Sequence, residues 1–596
     1  MAHYRAPLRD LEFVYYELFD GAALAELPGF EEATPDLVKA VLEEIGRIAA
    51  DEMQPLNAVG DAHGCRLEAD GTVTTPPGFK EAFGLLRDGG WTALTARPEY
   101  GGQGLPHSVS VMVNEIECAA NLSLTMYLSL THGAYDALDK HATDELKQAF
   151  IPQLVDGTWT ATMCLTEPQC GTDLGLLSTR AEPAGDGSYR VTGSKIFISA
   201  GDHDLAENVV HLVLARLPGA PPGIKGISTL VVPKKRLADG ELVPNGVTCT
   251  ALEHKMGIQG SATCALSFDG ATGWLVGEPH RGMRAMFTMM NGARLHVGVQ
   301  GMALADAAYQ RAAAFARERH QGRALNGARA PEQPADPILV HPDVRRMLLT
   351  ARAVVEGSRA LTAWAALAID RADHDPDPAR AEAADDLASL LTPVVKAFQT
   401  DLGFEAANLA LQVFGGYGYC RDYGVEQLVR DCRITQIYEG TNGVQALDLV
   451  GRKLPAHLGR YLRRFFHPVA EFLAAEAGDE ALAPFVAPAA KAFDRLQRAT
   501  AWLAQRGMKD PAEAGAASTD YLHLFGYTAL GYLWARMAKV ALDKRAAATG
   551  ADAAFYDAKL ATARFYAERV LPRTGALFAT VMAGGGSMTE FPDAAF

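Results

Sequence analysis

Gln436-Ile437-Tyr438-Glu439-Gly440-Thr441-Asn442 sets one carboxylate between an aromatic residue and a glycine. A carboxylate beside a residue with no side chain suits proton abstraction from carbon, because the backbone there lets a substrate come close. Alone, a glutamate before a glycine reads more often as a solvated turn than as a catalyst. Two further stretches stand upstream: Met163-Cys164-Leu165-Thr166-Glu167-Pro168-Gln169-Cys170-Gly171-Thr172-Asp173, then Gln412-Val413-Phe414-Gly415-Gly416-Tyr417-Gly418-Tyr419. The order and separation of the three give the carboxylate its weight.

Working outward, 596 residues exceed what one hydrophobic core supports. At about 150 residues per domain, three or four domains are expected. Hydrophobic residues at 48% and charged residues at 21% are ordinary globular usage, so most of the chain should fold. A formal charge of -16 excludes a nucleic-acid binder, whose affinity rests on lysines and arginines that neutralise phosphates. No apolar run is long enough for a transmembrane helix, and Met1–Asp10 lacks the apolar core of a signal peptide. The eight cysteines form no CxxC pair, which points to reduced thiols rather than disulfides or a metal site. A cytoplasmic protein is expected.

Helical patterning opens at Thr34, a capping residue, followed by Pro35 and by Leu37, Val41, Ile45, Ile48 and Met53 at helical spacing. It continues to about residue 155, interrupted by Pro98–Gly104, whose glycines do not have dinucleotide-fingerprint spacing. Short β-rich runs then replace it: Thr158–Thr166, Tyr189–Ser199, Val209–Arg216, Ile227–Val232 and Thr263–Phe268. Helices return over 296–320, 341–372 and 382–412, the last expected to kink or break at Pro393. An alanine-rich helical region follows, with a break expected near Gly507–Ala517. The expected architecture is α+β. A helical domain (1–157) precedes an antiparallel β-barrel domain (158–282), a helical bundle carrying Glu439 (283–455) and a C-terminal helical extension (456–596).

The three stretches together resemble the flavin-dependent acyl-CoA dehydrogenases, over about residues 35–455. The resemblance implies FAD as cofactor and an acyl-CoA thioester as substrate, oxidised to the trans-2-enoyl-CoA. Glu439 takes the place of the base that removes the α proton, and its backbone N–H that of a donor to the thioester oxygen. Gly440 and Arg294 fall at substrate-side positions, and Thr441 contacts the cofactor.

By the same resemblance, Met163, Leu165, Thr166 and Thr172 hold the flavin ring. Here Gln169-Cys170-Gly171-Thr172-Asp173 replaces the family's Gly-Ala-Gly-Ser-Asp turn and keeps the hydroxyl at Thr172. Phe197 and Ser199, in Lys195-Ile196-Phe197-Ile198-Ser199, match an aromatic that packs on the flavin and a hydroxyl that reaches it. Read without the family, that run is a half-buried strand with Phe197 in the core. Arg319, Gln321, Gln412, Gly415 and Gly416 match positions that serve the FAD diphosphate of an adjacent subunit. A homodimer, or a dimer of dimers, is therefore implied. The phenylalanine that the family places before Gly322 is absent.

Tyr4–Phe13, His254–Cys264 and the C-terminal extension resemble a longer subgroup of the family. Its substrates are fatty acyl-CoA or 3-methylmercaptopropionyl-CoA, and electrons pass to electron-transfer flavoprotein. The alternatives are an acyl-CoA oxidase that yields hydrogen peroxide and a non-catalytic acyl-CoA-binding relative. Pro592–Phe596 carries no Ser-Lys-Leu address, which leans against the first. A binding module needs no base, which leans against the second.

Overall fold

The computed structural model describes residues 4–596. In chain order, the elements used below begin with α1 (Pro35–Ile48) and α2 (His107–His141). The strands are β1 (Trp159–Cys164), β2 (Arg180–Pro183), β3 (Tyr189–Ser199), β4 (Asn208–Arg216), β5 (Ile227–Pro233), β6 (Val247–Leu252) and β7 (Thr263–Val276). Helices α3 (Gly282–Glu318), α4 (Pro342–His374), α5 (Pro378–Val413), α6 (Asn442–Asp448), α7 (Ala483–Gly507), α8 (Pro511–Arg545) and α9 (Gly550–Phe565) follow. The chain forms two compact units. One comprises the described part of Met1–Glu43 with His107–Glu115 and Val297–Phe596; the other comprises Glu44–Pro106 and Ile116–His296.

Thr34 accepts from the Leu37 N–H at 3.3 Å and Pro35 opens α1. The buried stripe runs through Val38, Leu42, Ile45 and Ile48, while Leu37 is exposed and Val41 only half-buried. The sequence reading therefore chose the neighbouring face in the first turns. Both faces carry aliphatic residues there, and tertiary packing decides between them.

The second unit is built on a seven-stranded sheet. β7 pairs with β3 and β5, β3 with β2, β2 with β4, and β4 with β5, so five strands close on themselves. Closure leaves those five strands no open edge between them. β6 continues the sheet beside β7, and β1 beside β4. The expected antiparallel pairing fails at β1, which runs parallel to β4 from Trp159↔Asn208 to Cys164↔Val213, and at the single parallel β2–β4 pair, Arg180↔Arg216. The intervening segment, which holds β2 and β3, is long enough to cross over and return the chain in the same direction.

In the helical unit α4 and α5 lie side by side, and α8 packs on both. Pro393 lies inside α5 without ending it. The lost hydrogen bond costs about 3 kcal/mol. Burial of Leu390, Leu391, Val394 and Val395 around it offsets that cost. Helices α7 and α8 are separated by a break between Gly507 and Pro511.

The extension is tied to the rest of this unit by buried charge. Asp10 takes ion pairs from Arg359 of α4 and Lys559 of α9. Glu356 meets Lys559 at 2.6 Å, and Glu115 meets Arg359 Nε at 2.8 Å. Charges this deep persist only when every one is paired, so the cluster fixes the extension in register.

Candidate active site

Glu439 lies in the loop between Ile434–Gln436 and α6, with φ at +59°, and Gly440 follows at +83°. Two consecutive left-handed residues make a sharp turn that costs a glutamate about 1–2 kcal/mol. Surrounding contacts hold the turn in place. Gln445 donates from Nε2 to the Glu439 carbonyl at 3.0 Å. A Cβ at Gly440 would sit 2.7 Å from that same nitrogen, so glycine is required by space as well as by φ. Lys396, fully buried on α5, donates to the Gly440 carbonyl and to Asn442 Oδ1, each at 2.8 Å. Tyr438 donates its hydroxyl to Gln300 of α3. Thr441 is exposed at the head of α6.

Asp401 anchors both ends of this loop. Its Oδ1 accepts from Gln436 Nε2 at 2.6 Å and from Asn442 Nδ2 at 2.7 Å. Burial alone would push its carboxyl up, but hydrogen bonds and charge from His523, with those of Gln436 and Asn442, hold it below the ordinary carboxylate value.

A second group in the same unit forms where α3 ends. The Arg319 guanidinium lies 5.2 Å from the ring of Tyr417, and Phe315 stacks on Phe414 at 4.2 Å. Arg319 is thereby brought to the end of α5, whose last turn holds Gln412, and to the turn after it that holds Gly415 and Gly416, all three exposed. No atom lies within 4 Å of where a Cβ on either glycine would stand, so the backbone faces open space. Gln321 is exposed nearby in sequence, its N–H donating to the Asp336 carbonyl at 2.9 Å.

In the other unit, Leu165 and Thr166 follow β1 directly and Met163 lies within it. Glu167 next to them is buried and saturated. It accepts from Lys195 Nζ at 2.8 Å, from Ser178 Oγ and N at 2.7 Å each, and from Thr179 Oγ1 at 2.6 Å. Lys195 also donates to the Leu165 carbonyl at 3.1 Å, and the Ile196 N–H to the Thr166 carbonyl at 2.9 Å. The segment Leu165–Glu167 is thus clamped to β3. Burial would raise the Glu167 carboxyl, but the Lys195 charge and the donors around it hold it well below the usual range.

Between Lys195↔Leu266 and Ile198↔Cys264 the β3 strand has one residue more than β7. This bulge turns Phe197 out of the sheet with φ at +59° and leaves 59% of it exposed. The reading of Phe197 as a core residue of a half-buried strand is therefore corrected, because a bulge breaks the two-residue alternation. Ser199 ends β3 opposite Thr263, half-buried, and Thr172 is exposed in the turn beyond Glu167. Arg294 is buried on α3, its guanidinium 5.9 Å from the Phe287 ring.

The structure thus gathers the sequence-derived residues into separate groups. Glu439, Gly440 and Thr441 share one loop; Arg319 lies at the end of α5 with Gln412, Gly415 and Gly416; Leu165 and Thr166, just after Met163 of β1, are bonded to the strand β3 that carries Phe197 and Ser199. An FAD requires an aromatic surface for its ring system and positive charge with approachable backbone for its diphosphate. The out-turned Phe197 fits the first need, and Arg319 beside the open glycines fits the second.

Sequence reasoning missed Lys396, Asp401 and His523. A lysine within Val394-Val395-Lys396-Ala397-Phe398 was the available signal, since a charge in an apolar helix face demands a buried acceptor.

Comparison with known proteins matches four consecutive stretches to family models. Residues 38–158, 162–271 and 280–454 match the N-terminal, middle and C-terminal domains of acyl-CoA dehydrogenase; residues 465–592 match the model described as acetyl-CoA dehydrogenase C-terminal like. The chain is 43% identical to a 3-methylmercaptopropionyl-CoA dehydrogenase of Ruegeria pomeroyi, over 98% of this chain and 99% of that one. It is 34% identical to a butyryl-CoA dehydrogenase of Syntrophomonas wolfei, over the whole of both. Among solved structures it is similar in fold to an acyl-CoA dehydrogenase of Bacillus anthracis complexed with FAD, with a TM-score of 0.74, 20% identity, and 94% and 90% of the two chains covered.

Proposed function

The chain belongs to the acyl-CoA dehydrogenase family, and from that premise we propose how its own residues carry out the family's reaction. The protein is an FAD-dependent oxidoreductase that converts an acyl-CoA to the trans-2-enoyl-CoA, with electrons passed to electron-transfer flavoprotein. The observation that carries the residue assignment is the left-handed Glu439-Gly440 turn, held by a buried lysine.

Glu439 removes the α proton of the thioester as the general base. Its backbone N–H donates to the thioester oxygen, where enolate charge develops. Gly440 keeps the backbone open to the thioester. The chemistry that a bound FAD would supply is that of acceptor for the β hydrogen and its electron pair. Met163, Leu165, Thr166, Thr172, Phe197 and Ser199 hold and cover the flavin ring. Thr441 contacts the cofactor, and Arg319 and Gln321 with Gln412, Gly415 and Gly416 neutralise and cradle a diphosphate. Arg294 serves the CoA side. Because the family places the Arg319 group on the FAD of a neighbouring subunit, the working form is a homodimer or a dimer of dimers. Eight free cysteines support action in the cytoplasm. The four segments 1–157, 158–282, 283–455 and 456–596 are proposed as its domains.

Relatives named for 3-methylmercaptopropionyl-CoA and for butyryl-CoA leave two substrate classes, which a hydrophobic pocket separates by only about 1–3 kcal/mol. The test mixes the FAD-loaded protein anaerobically with 3-methylmercaptopropionyl-CoA and with butyryl- through palmitoyl-CoA. Flavin bleaching by any of them supports dehydrogenation, and the rates rank the substrates. Bound FAD that no thioester bleaches overturns the reading.

A further inference from the structure

Where the C-terminal extension packs beside the loop of Glu439, it brings a histidine to a carboxylate that holds the loop. His523 of α8 places Nε2 2.9 Å from Asp401 Oδ2. The other oxygen of that carboxylate holds Gln436 and Asn442, the two ends of the Glu439 loop. One acid therefore joins an extension helix to both ends of the turn. Asn442 is held further by its Nδ2 contact to Thr400 Oγ1 at 2.9 Å.

The register of α8 at this point is fixed by packing. A Cβ at Gly526 would lie 2.3 Å from Phe398 Cγ, so α8 can press against α5 here only with glycine. Gly526 stands one turn after His523, and Phe398 one turn before Asp401. The His523 ring meets the Phe398 ring edge-on at 5.7 Å. Packing thus delivers the imidazole to the carboxylate, and the carboxylate is held below its ordinary value with His523 among the causes.

We propose that His523 is a positioning residue for proton abstraction: through Asp401 it holds the Glu439 loop in its left-handed conformation, so the extension is part of the catalytic apparatus. This rests on Glu439 being the base. A contact that merely seats the extension would affect stability but not the rate at a folded, FAD-loaded site.

The experiment compares His523→Ala, His523→Gln and Glu439→Gln in the full-length holoprotein, with the exposed Arg564→Ala as control. FAD content, melting temperature, acyl-CoA Kd and the limiting rate of anaerobic flavin reduction are measured for each. The expected result for His523→Ala is a limiting rate lower by about 10- to 100-fold, the range for a misplaced catalytic group, with FAD content and Kd unchanged. His523→Gln, whose amide reaches the same distance, should recover most of the rate. A native rate in His523→Ala overturns the proposal. So does a loss shared by both His523 variants that tracks their FAD content and melting temperature. Should His523→Ala not fold, His523→Asn replaces it, with the same outcomes. A native rate in Glu439→Gln overturns the base assignment instead, whatever the His523 variants do.

Discussion

Lys396 donates its buried ammonium to the Gly440 carbonyl at 2.8 Å, so a charge from the middle of α5 holds the peptide that follows Glu439. The lysine costs desolvation, and that cost is offset by fixed acceptors: the Gly440 carbonyl and Asn442 Oδ1. Lys396→Met keeps the volume and removes the donor. The expected loss of stability is about 1–3 kcal/mol, from the acceptors left without it. The expected loss in limiting flavin reduction is about 10- to 100-fold, because the loop is no longer held. Denaturant melts and anaerobic stopped-flow measure the two; a destabilised protein with native rate would make Lys396 purely structural.

Glu439→Gln removes the base and keeps the side chain's shape. Flavin reduction should slow by about 10²- to 10⁴-fold while FAD and acyl-CoA still bind. Rapid-mixing absorbance with a titration of acyl-CoA binding checks both halves. Reduction at the native rate would remove Glu439 from the mechanism.

Glu167→Gln leaves Lys195 buried without its counter-charge. The cost should be about 3–5 kcal/mol, with weaker FAD retention because Leu165–Glu167 is no longer clamped. The pH dependence follows from the sign of the shift. The Glu167 carboxyl is lower in the folded protein than in the unfolded chain. Its contribution is therefore complete above the ordinary glutamate value of 4.5 and is lost as pH falls through the folded value. Melting temperatures from neutral down to about pH 3 should fall more steeply for the native protein than for Glu167→Gln, because only the native protein loses that contribution. Parallel curves would contradict this.

Arg319→Ala deletes the cation beside the open Gly415-Gly416 backbone. Dialysed protein should lose FAD, and added FAD should bind at least about tenfold more weakly, the loss of one charge-assisted contact. Flavin absorbance after dialysis measures it. Unchanged retention would place the diphosphate elsewhere.

Some of this was legible in the residues themselves. The order of helix, strand and helix follows from local patterns, and Tyr189–Ser199 is legible as a strand because it is a β-rich run set off by Gly, Pro and Asp. The Glu-Gly pair and the glycines at 415 and 416 stood out because their stretches resemble the family's motifs; taken alone, each reads as an ordinary turn. Pro393 does not break α5, since a rule about one residue cannot register how many buried neighbours stabilise the helix around it.

The residues alone settled the succession of elements, because periodicity is a property of neighbouring residues, whereas Glu439 was named only through the family resemblance of its stretch and the two upstream of it. Only the tertiary structure decided that β1 runs parallel to β4 and that a bulge turns Phe197 outward. It alone decided that Asp401 meets His523 across 122 residues. Strand direction, an unmatched residue in a ladder and a contact over that distance all depend on which segments become neighbours, and packing of the whole chain fixes that.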